Sequence, residues 1–271
     1  MKTIEELKSI KDLSSITKQM YRNGWHEINS GNISVRLLEE EIKDFIPENG
    51  YKTKIFPLDI DASFIHNQYF LITGTGKYFR NIHKDPELNI GIIKILEDGK
   101  HYQMLWGFRD GKGPTSELNT HLLVHSQRQK INPDNRVVMH AHPTNILAMT
   151  HIHDLDEKSF TRTLWKMCTE SIVVFPDGVS VLPWMLCGTK EIGYETAHKI
   201  KDSRIVVWTI HGVFAVGNSL DDAYGLIETV EKSAEVYLKI KDYQIINELS
   251  DDNLRELATY FKVDVKKDYL K

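Results

Sequence analysis

Along the N-terminal stretch, apolar side chains fall at Ile4, Leu7, Ile10, Leu13, Ile16 and Met20, three or four positions apart, with charged residues between them. That spacing predicts an amphipathic helix over residues 3–23, and Gly24 stands where a C′ glycine closes such a helix. Ile33, Val35 and Leu37 then alternate with polar residues, the period of a half-buried strand. Residues 38–54 are charged and hold Pro47 and Gly50, which reads as a surface excursion. Tyr69 to Ile72 is a short apolar run that feeds Thr73-Gly74-Thr75-Gly76-Lys77. Runs at 90–96 and 101–106, joined by Asp98-Gly99, predict a hairpin.

Residues 116–129 read as a helix entered from Pro114-Thr115, and Arg136 to His142 as a strand. Ser171 to Phe175 and Arg204 to Trp208 are two further strand-like apolar runs. Residues 189–201 carry a helical pattern. Ser219 is a candidate N-cap, with Asp221 and Asp222 in the first turn of a helix reaching about residue 245. Ser250 can cap a last short helix. There is no internal repeat, low-complexity tract or linker. The expectation is one α/β domain over residues 1–271, with an N-terminal helical segment at about 1–24. Strands follow one another through hairpins as well as helices, which favours a mixed or antiparallel sheet covered by helices.

Composition narrows the function classes. The chain has 271 residues, 41% hydrophobic and 27% charged, ordinary for a soluble globular protein. A chain of this length buries about three quarters of its unfolded surface. No apolar run approaches the roughly 20 residues of a membrane span. The N-terminal residues lack the apolar core of a secretory signal. A formal net charge of −4 argues against a nucleic-acid binder. Cys168 and Cys187 do not suggest a disulfide framework and read as reduced thiols. The expected compartment is the cytoplasm.

The sharpest local feature is His140-Ala141-His142 at the end of Val137-Val138-Met139. Residues i and i+2 of a strand share a face, so the two imidazoles project side by side. A third candidate, His211, follows the run Ile205-Val206-Val207-Trp208 and precedes Gly212. Three neutral imidazoles with an open fourth position form the ligand set of a catalytic zinc site. The chain has 12 histidines, and spacing alone leaves His121, His125, His151 and His153 as competitors. Chance His-x-His pairs are more often structural than metal-binding.

Thr115 and Ser116 precede a helix, where unpaired N–H groups can be capped or can bind an anion. Glu117 is placed by the pattern in the first helical turn. There it is either a charge against the helix dipole or a general base. Asn29-Ser30-Gly31-Asn32 and Thr73-Gly74-Thr75-Gly76-Lys77 are rich in glycine and small donors, and such turns can form a nest for phosphate. Each alone is weak, and the second lacks the Walker spacing. Glu170 lies just before the 171–175 run, where a carboxylate is usually solvated.

Taken together, these segments resemble the class II aldolase family related to fuculose-phosphate aldolase. The matching segments are Gly24-Trp25 with Asn29-Ser30-Gly31-Asn32, Thr73 to Asn81, Leu105-Trp106-Gly107, Pro114 to Leu118, and His140-Ala141-His142. Phe175-Pro176-Asp177-Gly178 with Leu182-Pro183-Trp184, and His211-Gly212-Val213-Phe214, complete the ordered set. The resemblance implies a three-layer α/β/α sandwich around a mixed, largely antiparallel sheet, assembled as a homotetramer with active sites at subunit interfaces. It implies one zinc ion per subunit, held by His140, His142 and His211, and reversible cleavage of a ketose 1-phosphate. The zinc would chelate the C2 carbonyl and C3 hydroxyl oxygens of the dihydroxyacetone phosphate part. Glu117 would exchange a proton on the carbon of that half. Glu170, from the neighbouring subunit, would serve the C4 oxygen. Asn29, Gly31, Asn32, Gly74, Thr75, Gly76, Thr115 and Ser116 would hold the phosphate.

One position departs from the family pattern. Ser30 stands where the family has glycine, and a positive φ there would strain a serine. Relatives on this fold include other sugar-phosphate aldolases and pentulose-phosphate 4-epimerases, all built on the same kind of site. Of other classes, a non-catalytic zinc or sugar-phosphate-binding protein would need a closed four-ligand site for structural zinc, and neither cysteine has finger-like spacing to a histidine. A serine or cysteine hydrolase lacks its Gly-x-Ser-x-Gly elbow.

Overall fold

The N-terminal amphipathic pattern folds as one short 3-10 turn, Ile4–Glu6, and then the α-helix Lys8–Arg22, in a computed structural model that describes residues 3–45 and 53–270. Ile10, Leu13, Ile16 and Met20 form its buried stripe. The helix stops as its sequence predicts. Gly24 takes φ of +76°. Its N–H donates to Tyr21 O, and the N–H of Trp25 donates to Met20 O. This is the Schellman pairing, closed by the two buried side chains Trp25 and Met20.

Among the described residues nine strands follow in one sheet: β1 Asn32–Leu37, β2 Ile55–Pro57, β3 Tyr69–Thr73, β4 Ile90–Ile95, β5 His101–Gly107, β6 Val137–Ala141, β7 Ser180–Leu182, β8 Ile205–Trp208 and β9 Gly212–Gly217. Their order is β2-β5-β4-β3-β1-β6-β9-β8-β7. Every pairing is antiparallel except β7 with β8. The expected β4–β5 hairpin forms, with Gly99 at φ of +63° and the Asp98 carboxylate accepting from the N–H groups of Lys100 and His101. A bulge between Ile92 and Ile93 leaves Leu105 without an opposite partner. Leu105 and Trp106 consequently both meet the same side of the sheet.

The sheet is covered on both faces, giving three layers. One face packs against the helices Lys8–Arg22, Thr144–Ile152, Glu157–Met167, Leu220–Ile240 and Asp251–Phe261 in one apolar cluster. The other meets Leu118–Ile131 and Lys190–Lys199 through two smaller clusters. Alternation assigns the sides: Val137, Met139 and Ala141 of β6 face the first cluster, and Val138 the third. No helix among the described residues is long and apolar enough to cross a membrane.

Several expectations are corrected. The run Ser171 to Phe175 is a helical turn, Ser171–Val174, not a strand. The Glu170 carbonyl accepts from the N–H groups of Val173 and Val174, and the hydroxyl of Ser171 pairs with that of Ser233 at 2.7 Å. The sheet edge is taken instead by β7, which its short Ser180–Leu182 sequence did not announce. Apolar content alone does not separate a buried strand from a buried helical turn. The helix expected to reach residue 245 ends at Ile240. Strands β2 and β9 and the helices Thr144–Ile152 and Glu157–Met167 were not anticipated. Of the surface excursion at 38–54, Glu39–Ile42 is a helical turn, while Pro47 and Gly50 lie outside the described residues. Strand β1 is the most instructive case: it is buried on both faces, not half-buried.

Candidate active site

His140 lies on β6 at the centre of the sheet, opposite Asn32 of β1 and Phe214 of β9. His142 follows the end of the strand, where its N–H donates to Trp25 O at 3.0 Å. Each ring has its Nδ1 committed. Nδ1 of His140 donates to Val213 O at 2.9 Å, and Nδ1 of His142 donates to Glu27 Oε1 at 2.7 Å. The two Nε2 atoms face each other at 3.2 Å. With each Nδ1 donating, the two Nε2 atoms are left to direct lone pairs at one point, the arrangement that a shared cation satisfies. Two nitrogens of a tetrahedral zinc site lie about 3.3 Å apart, given bonds near 2.0–2.1 Å. Outer partners that fix the tautomer in this way are a regular feature of metal sites.

His211 completes the group from the β8–β9 hairpin. One ligand atom from each of His140, His142 and His211 lies within 4.8 Å of the others. Burial and the neighbouring rings hold His140 well below the usual imidazole range, and burial takes His211 down to about 4. His140 and His211 are therefore neutral near pH 7, as metal ligation requires. Gly212 makes the crowding possible: a Cβ there would sit 2.4 Å from Ala141 O and 2.8 Å from His142 Cδ2. The competing histidines are elsewhere. His121 and His125 are buried beneath Asn32, His151 is exposed, and His153 bonds Thr163 Oγ1 at 2.8 Å.

Two isoleucines bordering this site have left-handed backbones, Ile28 at φ of +51° and Ile210 at +59°. For a β-branched residue that conformation is an outlier worth about 1–3 kcal/mol. Each is adjacent to a predicted site residue, Asn29 and His211. The N–H of Ile210 is held by Thr150 Oγ1 at 3.1 Å. Strain here coincides with the turns that aim site side chains. Ser30 carries none of it: the positive φ of its loop belongs to Ile28 and Gly31.

The two donor loops and the helix start converge on the same cavity. Thr115 N–H donates to Thr73 O and Thr75 N–H to Gly113 O, so the segments 73–77 and 113–117 lie side by side. A cavity of about 140 Å³ is lined by Asn29, Ser30, Gly31, Asn32, Gly74, Thr75, Gly76, Thr115, Ser116, Glu117 and the three histidines. Every predicted site residue except Glu170 is among them. The hydroxyls of Thr75, Thr115 and Ser116 and the amide of Asn29, gathered beside a helix start, suit an anion such as phosphate.

Glu117 differs from expectation in one detail. It is the residue just before the helix Leu118–Ile131, not part of its first turn, and its side chain caps no helical N–H. The carboxylate turns inward, with Oε2 3.8 Å from Nε2 of His140 and accepting from Asn32 Nδ2 at 2.8 Å. Burial raises its pKa to about 7, against the opposing hydrogen bond from Asn32. A carboxyl group poised near neutrality beside a metal position can act as acid or base. Asn32, expected among the phosphate ligands, has its amide engaged by Glu117 on one side and His121 on the other.

Glu170 is exposed and lies outside the cavity of its own chain. Sequence reasoning missed Glu27, the partner of His142, because a glutamate in a loop carries no pattern. It also missed the buried group formed by Asn32, Ser34, His121 and His125, whose i, i+4 histidine spacing was the available signal.

Residues 11–238 match the family described as Class II Aldolase and Adducin N-terminal domain. A rhamnulose-1-phosphate aldolase of Listeria welshimeri is 47% identical over 273 residues, covering 100% of this chain and 98% of the relative. One of Listeria monocytogenes is 45% identical over 270 residues, covering 99% and 98%. Among solved structures, a sugar-phosphate aldolase from Thermotoga maritima superposes with a TM-score of 0.75 at 31% identity, covering 89% of this chain and 98% of its own.

Proposed function

The chain belongs to the class II aldolase family, and we propose that it is a zinc-dependent aldolase cleaving L-rhamnulose 1-phosphate to dihydroxyacetone phosphate and L-lactaldehyde, reversibly, in rhamnose breakdown. The observation that carries this reading is the convergence of three histidines, one buried carboxyl group and two donor-rich loops on one cavity. The substrate is taken from the near-full-length relatives that carry that name.

His140, His142 and His211 would hold one zinc ion per subunit. When bound, it supplies Lewis-acid stabilisation of the negative charge that develops as the C3–C4 bond breaks. Asn29, Gly31, Gly74, Thr75, Gly76, Thr115 and Ser116 bind the phosphate, so that remote binding energy orients the reacting carbons, while Asn32 lines the same cavity and gives its amide to Glu117. Glu117 delivers a proton to C3 as the aldehyde half departs, and withdraws it in the direction of synthesis. Glu170 handles the proton of the C4 hydroxyl. On this reading Glu170, which stands outside its own chain's cavity, acts on the site of a neighbouring subunit, within a homotetramer of one-domain chains working in the cytoplasm.

The test is a coupled assay for dihydroxyacetone phosphate, run with L-rhamnulose 1-phosphate and L-fuculose 1-phosphate side by side. The expected outcome is release from the first with the larger kcat/KM. Preference for the second would move the chain to another sugar-phosphate specificity, a reading to which the Thermotoga maritima neighbour is also open. Release from neither would remove the aldolase assignment.

A further inference from the structure

Between the sheet and the helix Leu118–Ile131 runs a string of five polar side chains. Glu117, Asn32, His121, Ser34 and His125 are each no more than 7% exposed. Asn32 Nδ2 lies 2.8 Å from Glu117 Oε2, and His121 Nε2 lies 2.5 Å from Asn32 Oδ1. Ser34 Oγ lies 2.7 Å from His121 Nδ1 and 2.8 Å from His125 Nε2. Five buried polar groups are expensive unless each is hydrogen-bonded, and apolar side chains could fill this layer as they fill the opposite face of β1.

The direction of every bond in the string follows from its end. In its ionised form Glu117 can only accept, so Asn32 turns its amide N–H toward Glu117 and keeps Oδ1 for His121. Nε2 of His121 must then carry a proton. Burial depresses His121 to about 3, so the ring is neutral and its Nδ1 is bare. That nitrogen accepts the hydroxyl proton of Ser34, and Ser34 Oγ accepts from the Nε2–H of His125, which burial also keeps neutral. All four donors point the same way, toward the carboxylate. Hydrogen bonds aligned in series polarise one another in a dry interior.

We propose that His121 is a positioning residue for the reaction: it fixes the Asn32 amide that holds Glu117 beside the metal position, and Ser34 and His125 lock it in the Nε2–H tautomer. The proposal rests on the reading of Glu117 as the acid–base group. It predicts a larger effect on the proton-transfer step than on phosphate or metal binding, since His121 reaches the cavity only through the Asn32 amide that holds Glu117.

The test compares His121→Leu, His121→Gln and Ser34→Ala with the unaltered chain, measuring kcat and KM for dihydroxyacetone phosphate release and zinc content. His121→Leu is expected to lower kcat about 10–100-fold, with KM and zinc content unchanged. His121→Gln can return an N–H to the place of Nε2–H and should restore most of that loss. Ser34→Ala should show a smaller fall, because the ring can then take either tautomer. Wild-type kcat in His121→Leu overturns the proposal, as does an equal loss in the Leu and Gln variants. If His121→Leu does not fold, Ser34→Ala decides: lowered kcat at unchanged KM supports the string, and unchanged kcat overturns it. An unaltered chain that releases no dihydroxyacetone phosphate rejects the aldolase reading instead, which separates the two failures.

Discussion

The two faces of strands β1 and β6 are both buried, yet they are built from opposite materials. On one face Ile33, Val35, Leu37, Val137, Met139 and Ala141 join a single apolar cluster with the helices Lys8–Arg22 and Leu220–Ile240. Each large side chain there contributes about 1.5–3 kcal/mol by leaving water. On the other face, beside Val138, the same strands present Asn32, Ser34 and His140 toward the helix Leu118–Ile131, also buried. Those groups gain little by burial and need partners to avoid a penalty. One face holds the sheet in place; the other uses that rigidity to aim a carboxyl group and an imidazole at one cavity. Chemistry sits on the polar face because burial there excludes water and shifts Glu117 toward neutrality.

The contrast can be broken by substitution, and the largest effect should come from the polar face. Glu117→Gln should retain zinc and thermal stability while losing about 10²–10⁴-fold in kcat, read from steady-state kinetics with metal analysis; unchanged turnover would reduce Glu117 to a structural acid. On the apolar face, Ile33→Ala should cost about 2–5 kcal/mol of stability, seen as a lower denaturant midpoint, with kcat per folded chain preserved. If Ile33→Ala instead spared stability and abolished turnover, the division between the faces would be wrong. Gly212→Ala should act between these, because its Cβ meets Ala141 O and His142 Cδ2. We expect zinc affinity to fall about 10–100-fold, measured by competition with a chromophoric chelator. Smallest of all is Ser30→Gly. Ser30 has no left-handed backbone to relieve, so the change should alter stability by less than about 1 kcal/mol and leave the KM for the sugar phosphate where it was.

Much of the candidate site is legible in the sequence alone. His140 and His142 follow from the strand period, and the glycine-rich loops from their turn chemistry. The choice of His211 over His121, His125, His151 and His153 did not follow from spacing. It needed the family resemblance, and in the fold it depends on a three-residue hairpin, Thr209-Ile210-His211, strained at Ile210. Strand β1 shows most clearly why periodicity runs out. Its polar positions read as a solvent face, since alternation reports the contrast between two faces and not what covers each. The cover is a helix more than eighty residues later in the chain, and the polar residues match the histidines on that helix. The run Ser171 to Phe175 fails for the related reason that an apolar stretch records burial without recording backbone conformation. Glu170 is legible in neither way, because the role proposed for it lies in a neighbouring copy.

The central claim is that three histidines and Glu117 form one metal-dependent aldol site, and a zinc titration of the chelated protein tests it most directly. Dihydroxyacetone phosphate release from L-rhamnulose 1-phosphate should be lost on chelation. It should return in proportion to added zinc and level off at about one ion per chain, as a three-histidine catalytic site predicts, with His211→Ala showing neither uptake nor recovery. Full activity in the metal-free protein, or in His211→Ala, would contradict the account.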